Sequence, residues 1–385
     1  MSAQGEHVQD ELDRLLARGS VDATAAVELL IRRALAMGAS DLILEPRADR
    51  FEVNVRLDGV IVPLAGGPRE ALPNVVNRIK VLAGLLTYRH DLPQEGRIPA
   101  NSFGADLDFR AAIYPTPHGD RVAVRVFDSS HKDIELADLG LPGDILDLLS
   151  AAAARPEGVI LLTGPAGSGK TTTIYALLRH MRRTDAARRA QRSIITIEDP
   201  IEMALEGVTQ TTVNEAAGLD FARALRSLLR QDPNVIVVGE IRDRETARAA
   251  IAAGLSGHLV ISTIHAGSTC GVFSRLLDMG IEPYQVTGAV AAVLAQRLPR
   301  RLCAACAGSG CDRCRRTGFS GRLLLAEYVS MGPELAEGIR RHVRRQDLQQ
   351  VALQQGMVTL AQRGRLAVQA GLTTGEEVDR VLADQ

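Results

Sequence analysis

Residues 158–173 read G-V-I-L-L-T-G-P-A-G-S-G-K-T-T-T, an apolar run of strand character that passes straight into Gly164-Pro165-Ala166-Gly167-Ser168-Gly169-Lys170-Thr171-Thr172. The pattern G-x-x-x-x-G-K-T, behind a strand and ahead of a helix, is a complete phosphate-binding loop. Its glycines let consecutive backbone N–H groups turn inward around a polyphosphate. Lys170 reaches the terminal phosphates, and the Thr171 hydroxyl is placed to ligate Mg²⁺ at the positive end of the following helix. The expectation is a chain that binds ATP or GTP. Cation usage points the same way, because only Lys80, Lys132 and Lys170 are lysines among 45 basic residues. A chain that writes nearly every cation as arginine keeps lysine where a compact point charge is wanted.

Working outward, residues 159–163, 193–197, 235–238 and 259–263 are strand-like and alternate with helical patterns. That alternation predicts parallel strands joined by crossover helices, an α/β nucleotide-binding domain. Phe221, Leu225, Leu228 and Leu229 give one of the helices a core face, while Arg223, Arg226 and Arg230 point elsewhere. Upstream, residues 51–58, 107–113 and 122–126 alternate apolar and polar positions as half-buried strands do. Helices are expected over 22–37 and 72–86. The predicted organisation is a small α+β domain over 1–127, a polar linker over 128–138, and the α/β domain over 139–385. The last carries a cysteine element at 303–314 and a helical tail over 333–385, with turns at Gly356, Gly364 and Gly371.

Composition bounds the function. With 385 residues, 46% hydrophobic and 24% charged, the chain has material for more than one core. A net charge of −1 gives no global pull toward nucleic acid or an acidic membrane, and 3% aromatic content without Trp leaves little surface for stacking single-stranded bases. No apolar run approaches the length of a membrane span, and M-S-A-Q-G-E-H lacks the basic, apolar pattern of a signal peptide. A cytosolic chain is expected.

Two acids stand at strand ends. The run S-I-I-T-I leads into Glu198-Asp199-Pro200-Ile201-Glu202, and N-V-I-V-V into Gly239-Glu240-Ile241-Arg242-Asp243. In a doubly wound sheet the strand C-termini line the ligand crevice, which puts both acids beside the phosphates. Glu240 is assigned to activate the attacking water, with Glu198 as a second acid. Helix capping is the alternative, and Asp243 ahead of E-T-A-R suits it. His258 and His265 flank the next apolar strand. His265, at its C-terminal end, can hydrogen-bond a γ-phosphate, whereas His258 at the opposite end reads equally well as structural.

The segment Cys303-A-A-Cys306-A-G-S-G-Cys311-D-R-Cys314 places two C-x-x-C knuckles four residues apart. Four thiolates can enclose one tetrahedral Zn²⁺, so a structural zinc is the reading, with free or redox-active thiols as the alternative because the linker is short. Cys270 lies outside this group and has no assigned role.

In order, 164–171 (G-P-A-G-S-G-K-T), 195–202 (I-T-I-E-D-P-I-E), 225–246 (L-R-S-L-L-R-Q-D-P-N-V-I-V-V-G-E-I-R-D-R-E-T) and 257–265 (G-H-L-V-I-S-T-I-H) form a series. It resembles the Walker A, Asp-box, Walker B and His-box motifs of the secretion ATPases that power type II secretion and type IV pilus assembly. The likeness continues through 275–284 and 296–303, and backward through S-D-L-I-L-E-P, R-L-D-G, R-I-K-V-L-A-G, L-P-Q-E-G-R and P-T-P-H-G-D-R-V-A-V-R, covering residues 35 to 385.

The resemblance implies a RecA-like P-loop core and a homohexameric, Mg²⁺-dependent ATPase acting at the inner membrane on pilus, pseudopilus or export machinery. Inner-membrane platform proteins are the implied partners, with peripheral membrane association only through them. It also implies ATP held between two domains, with Arg97 and Arg110 completing the site and Arg226, Arg230 and Arg242 behind them. For each arginine an ordinary ion pair is the competing role. The cysteines favour zinc and an assembly-type motor, since retraction motors generally lack them. A retraction motor, a RecA-like nucleic-acid or conjugation motor, and an ATP-regulated scaffold are the rivals. The chain departs from the family at Asp41-L-I-L-Glu45, which lacks the usual His, at Glu95 where Asp is usual, and at Ala266-Gly267 in place of T-N. An additional N-terminal docking domain is expected to be missing.

Overall fold

The computed structural model describes residues 3–16, 21–104, 108–126, 134–189 and 191–383. The chain divides into two compact units, residues 1–131 with 308–320, and residues 132–307 with 321–385.

The first unit contains α1 (Ala3–Leu15), α2 (Ala23–Ala36), β1 (Asp41–Pro46), β2 (Arg50–Leu57), β3 (Val60–Pro68), α3 (Leu72–Leu82), β4 (Gln94–Ile98), β5 (Phe109–Thr116) and β6 (Gly119–Arg125). Its sheet runs β3-β2-β1-β6-β5-β4, every neighbouring pair antiparallel. Alternation in F-E-V-N-V works as the period-two rule requires, with Phe51, Val53 and Val55 fully buried. They share a core with Val27, Leu30 and Ile31 of α2 and Val75, Val76 and Ile79 of α3. Burial of one such aliphatic side chain is worth about 1.5–3 kcal/mol. Asp22 caps α2 by accepting the Ala25 N–H at 2.9 Å. The helix expected over 72–86 stops at Leu82, because Gly84 adopts φ 68° and lets the Leu85 N–H bond back to Lys80 O at 2.8 Å. Of the sequence-predicted elements here, Leu107 lies outside the described residues.

Residues 308–320, assigned from sequence to the α/β domain, cluster with this unit instead. Arg315 carries them there, its Nη1 donating to Met37 O at the end of α2 (2.9 Å).

The second unit contains α4 (Gly143–Ala153), β7 (Gly158–Thr163), α5 (Lys170–Ala187), β8 (Ile194–Glu198), β9 (Thr209–Thr212), α6 (Phe221–Leu228), β10 (Val235–Ile241), α7 (Arg244–Leu255), β11 (Leu259–Ile264), α8 (Thr269–Asp278), α9 (Pro283–Ala289) and β12 (Val290–Arg297). It ends with β15 (Leu325–Ser330) and the helices α10 (Pro333–Arg340), α11 (Arg345–Gln354), α12 (Leu360–Gln369) and α13 (Gly375–Leu382). Between β12 and β15, β13 (Arg300–Leu302) and β14 (Phe319–Arg322) form a two-stranded ribbon that brackets the cysteine segment. Of the expected linker, residues 128–133 lie outside the described residues, and 136–139 form a short 3-10 turn.

The main sheet runs β15-β12-β7-β11-β10-β8-β9, parallel except for β15 against β12. Helices cover both faces, so β7 and β11 are buried at every position and read as unbroken apolar runs. The C-terminal ends of β7, β10 and β11 therefore open at one edge. Gly364 makes no turn, contrary to the sequence expectation, but sits inside α12, where a Cβ would meet Val378 Cγ1 of α13 at 2.4 Å. Glycine there lets two helices approach. No helix among the described residues is long and apolar enough to cross a membrane.

Candidate nucleotide site and cysteine cluster

The loop from Gly164 to Gly169 joins β7 to the 18-residue α5, whose first turn carries Lys170, Thr171 and Thr172. Gly164 has φ 148°, and a Cβ on it would meet Gln296 O and Ser168 Oγ at 2.6 Å, so only glycine fits. The Lys170 ammonium donates to Gly164 O (2.7 Å) and Pro165 O (2.9 Å), curled over its own loop. Burial pushes its pKa down, nearby Glu240 pulls it back up, and Arg297 pushes it down again. Ser168 Oγ is buried without a hydrogen-bond partner among the described residues. A loop that gathers an ammonium, a buried hydroxyl with nothing to bond and a long helix's N-terminus fits a polyphosphate.

At the ends of β10 and β11 the structure brings two of the predicted residues together. Glu240 Oε1 lies 3.0 Å from His265 Nε2, and Oε2 accepts the Arg242 Nε–H at 2.7 Å. Arg242 also faces Asp199 Oδ2 at 3.6 Å and stacks over the Phe221 ring at 5.9 Å. Glu198 is held differently. It is 5% exposed, and its carboxylate accepts from the Tyr175 hydroxyl, from Thr196 Oγ1 at 2.5 Å and from Gln210 Nε2 at 3.0 Å. These bonds tie β8 to α5 and β9. His258 Nδ1 lies 3.2 Å from Ala253 O, against the end of α7, and Asp243 caps that helix by accepting the Thr246 N–H at 2.8 Å.

Arg97 and Arg110 belong to the first unit. They face each other across β4 and β5, and Arg110 pairs in turn with Arg125 of β6. All three are exposed on one face of the sheet. Arg97 pairs with Asp108, and Arg125 Nε reaches Asp41 Oδ1 at 3.4 Å. Like charges directly opposite one another disfavour the sheet, so this row gathers positive charge at a cost. Sequence reasoning missed Arg125. Its only signal was alternation in V-A-V-R, which does not reveal which residue stands opposite on β5. Arg226 forms a 3.7 Å ion pair with Glu245, and Arg230 is exposed beyond α6.

The sulfurs of Cys303, Cys306, Cys311 and Cys314 all lie within 4.8 Å of one another. Four thiolates at about 2.3 Å from one Zn²⁺ would stand about 3.8 Å apart, and the Cys311–Cys314 separation is already 3.8 Å. The N–H groups of Cys311 and Gly318 point at Cys314 Sγ (3.1 and 3.3 Å), donors suited to a thiolate. The donor set fits zinc.

A parallel sheet with the phosphate loop after one strand, and an acid and a histidine at the ends of the next two, defines a P-loop nucleotide-binding protein of α/β type. The family model for type II/IV secretion system proteins matches residues 19–380, and the chain belongs to that family. It is 38% identical to type II secretion system protein E of Xanthomonas campestris, over 93% of this chain and 67% of that protein. Against the type IV pilus assembly ATPase PilB of Thermus thermophilus it is 36% identical, over 91% of this chain but only 42% of that protein. Among solved structures, the pilus retraction motor PilT with bound ADP matches at TM-score 0.64 and 28% identity, covering 92% of this chain and 96% of that one. The Legionella pneumophila ATPase DotB shares the fold at TM-score 0.70 and 19% identity, over 94% and 96%.

Proposed function

We propose that this chain is the ATPase of a type II secretion or type IV pilus assembly machine, working as a Mg²⁺-dependent homohexamer at the cytoplasmic face of the inner membrane. The observation that carries it is the pairing of Glu240 with His265 at the C-terminal ends of β10 and β11, the same edge of the parallel strands from which the phosphate loop leaves β7, within a chain of this family. Lys170 would meet the terminal phosphates of ATP. Mg²⁺, held by Thr171, would neutralise charge on those phosphates. Glu240 accepts the proton of the water that attacks the γ-phosphorus as the bond to the β–γ bridging oxygen breaks. His265, fixed by the same carboxylate, contacts the γ-phosphate, and Glu198 holds α5 through Tyr175. Arg97 and Arg110 supply further positive charge to bound nucleotide, with Arg226, Arg230 and Arg242 in support. The four cysteines hold a structural Zn²⁺, and inner-membrane platform proteins are the partners.

ATP turnover with and without Mg²⁺, together with native mass in a non-hydrolysable ATP analogue, tests this reading. Mg²⁺-dependent phosphate release from a hexamer supports it, and a monomer without turnover would end it. The likeness to PilT favours a retraction motor as second reading. Loss of pilus assembly, as opposed to loss of retraction, in a strain lacking this chain separates the two.

A further inference from the structure

Arg297, the last residue of β12, is only 2% exposed. Its guanidinium keeps its charge, so burying it is costly unless its N–H groups are satisfied. They are spent on three backbone carbonyls at 3.0 Å, Nη1 on Gln296 O, Nη2 on Gly267 O and Nε on Val381 O. Those carbonyls belong to three different parts of the unit. Gln296 O is the atom that presses on Gly164 at the start of the phosphate loop. Gly267 follows His265 by two residues. Val381 lies in the last turn of α13, where a cation is favoured by the helix dipole.

The segment after His265 is gripped from two more sides. The Thr163 hydroxyl, at the end of β7, donates to Ala266 O (2.7 Å) and accepts the Ala266 N–H (3.0 Å). Glu327 of β15, 4% exposed, accepts both the Thr269 hydroxyl (2.5 Å) and the Thr269 N–H (3.2 Å), while its other oxygen accepts the Leu360 N–H at the start of α12 (3.1 Å). Ala295 stands opposite Glu327 and Arg297 opposite Leu325, so the two charged side chains share one face of the β12–β15 pair. They flank the apolar cluster of Ala295, Leu325, Leu360 and Ala367 that seats the tail helices. At its other end α13 is pinned by Glu377, whose carboxylate receives Arg300 and Arg380. The last helix of the chain is thus joined through polar bonds to the strand end that abuts the phosphate loop.

We propose that Arg297 is a positioning residue for hydrolysis, which sets the segment after His265 against the phosphate loop and transmits the nucleotide state to α13. This rests on the reading of His265 as facing the γ-phosphate. A role confined to packing would lower stability and leave two things intact, the rate of the bound complex and the response of α13 to nucleotide.

The test uses the full chain with Arg297→Gln, Arg297→Lys and His265→Ala. It measures kcat and KM for ATP, and hydrogen exchange of the α13 amides with and without a non-hydrolysable ATP analogue. For Arg297→Gln, kcat should fall on the order of tenfold to a hundredfold with KM little changed, as displaced catalytic geometry does. Exchange in α13 should slow on nucleotide binding in the parental chain, and this slowing should vanish in the variant. Arg297→Lys, which keeps the charge but not the fork, should recover part of kcat, and it carries the test if the Gln variant does not fold. Parental kcat in Arg297→Gln alongside a slowed His265→Ala would overturn the proposal alone. Parental kcat in His265→Ala would overturn the reading of His265 as well. An α13 whose exchange ignores nucleotide in the parental chain removes the transmission.

Discussion

His265 Nε2 lies 3.0 Å from Glu240 Oε1, which links the C-terminal ends of the adjacent parallel strands β10 and β11. One carboxylate oxygen thus orients the histidine while the other is held by Arg242. Any change at Glu240 should be felt by both neighbours.

Glu240→Gln keeps the shape and removes the carboxylate proposed as the base. ATP affinity should be retained while hydrolysis falls by about two orders of magnitude or more. Single-turnover hydrolysis of labelled ATP decides it, and a parental rate would show that Glu240 does not activate the water.

Lys170→Ala removes the half-buried ammonium that caps the phosphate loop. Turnover at saturating ATP should be abolished and binding weakened, because the terminal phosphates lose their cation. Near-normal phosphate release would show that this loop does not serve hydrolysis.

Arg97 and Arg110 pair across β4 and β5, and Arg125 continues the row. If Arg97 and Arg110 act on nucleotide held by a neighbouring subunit, a chain lacking both, mixed with Lys170→Ala, should regain part of the lost turnover. An interface built from one intact arginine face and one intact loop is then complete. Mixed rings of confirmed mass without any recovery would confine the arginines to their own chain or to a structural role.

The cysteine cluster should yield about one zinc per chain by elemental analysis, and Cys306→Ser should lose it. Wild-type protein purified without chelators and free of metal would defeat the zinc reading.

Glu377 is a local acid sensor of stability. Burial alone would raise its pKa, but bonds from the Arg380 and Arg300 side chains and from the Arg300 N–H outweigh burial and bring it down to about 2. A carboxyl depressed in the fold stabilises it above the ordinary glutamate value, and that contribution disappears as pH falls from about 4.3 toward 2. The melting-temperature gap between wild type and Glu377→Gln should be constant above about pH 5 and close below it. A gap that persists unchanged at acid pH would show that the charge of Glu377 contributes nothing.

The phosphate loop, the strand-end acids, the histidine pair and the cysteine knuckles were legible in the sequence, because each is a contiguous segment whose chemistry depends on spacing along the chain. So were the strands of the second unit, since burial on both faces writes an apolar run. Glu198 shows the limit of such reading. Its position at a strand end was visible, but its three bonds come from residues 2 to 23 positions away and occupy the carboxylate.

What only the tertiary structure decided lies in contacts between distant segments. Gly364 had the look of a turn until Val378 was seen to fill the space its side chain would take. Arg125 became the third member of an arginine row through strand register, and register is set by pairing across the sheet rather than by residue type. Arg297 was one arginine among many in a chain rich in them. Its meaning comes from carbonyls 30 and 84 residues away, brought to one guanidinium because a buried cation is tolerated only where the fold converges acceptors upon it.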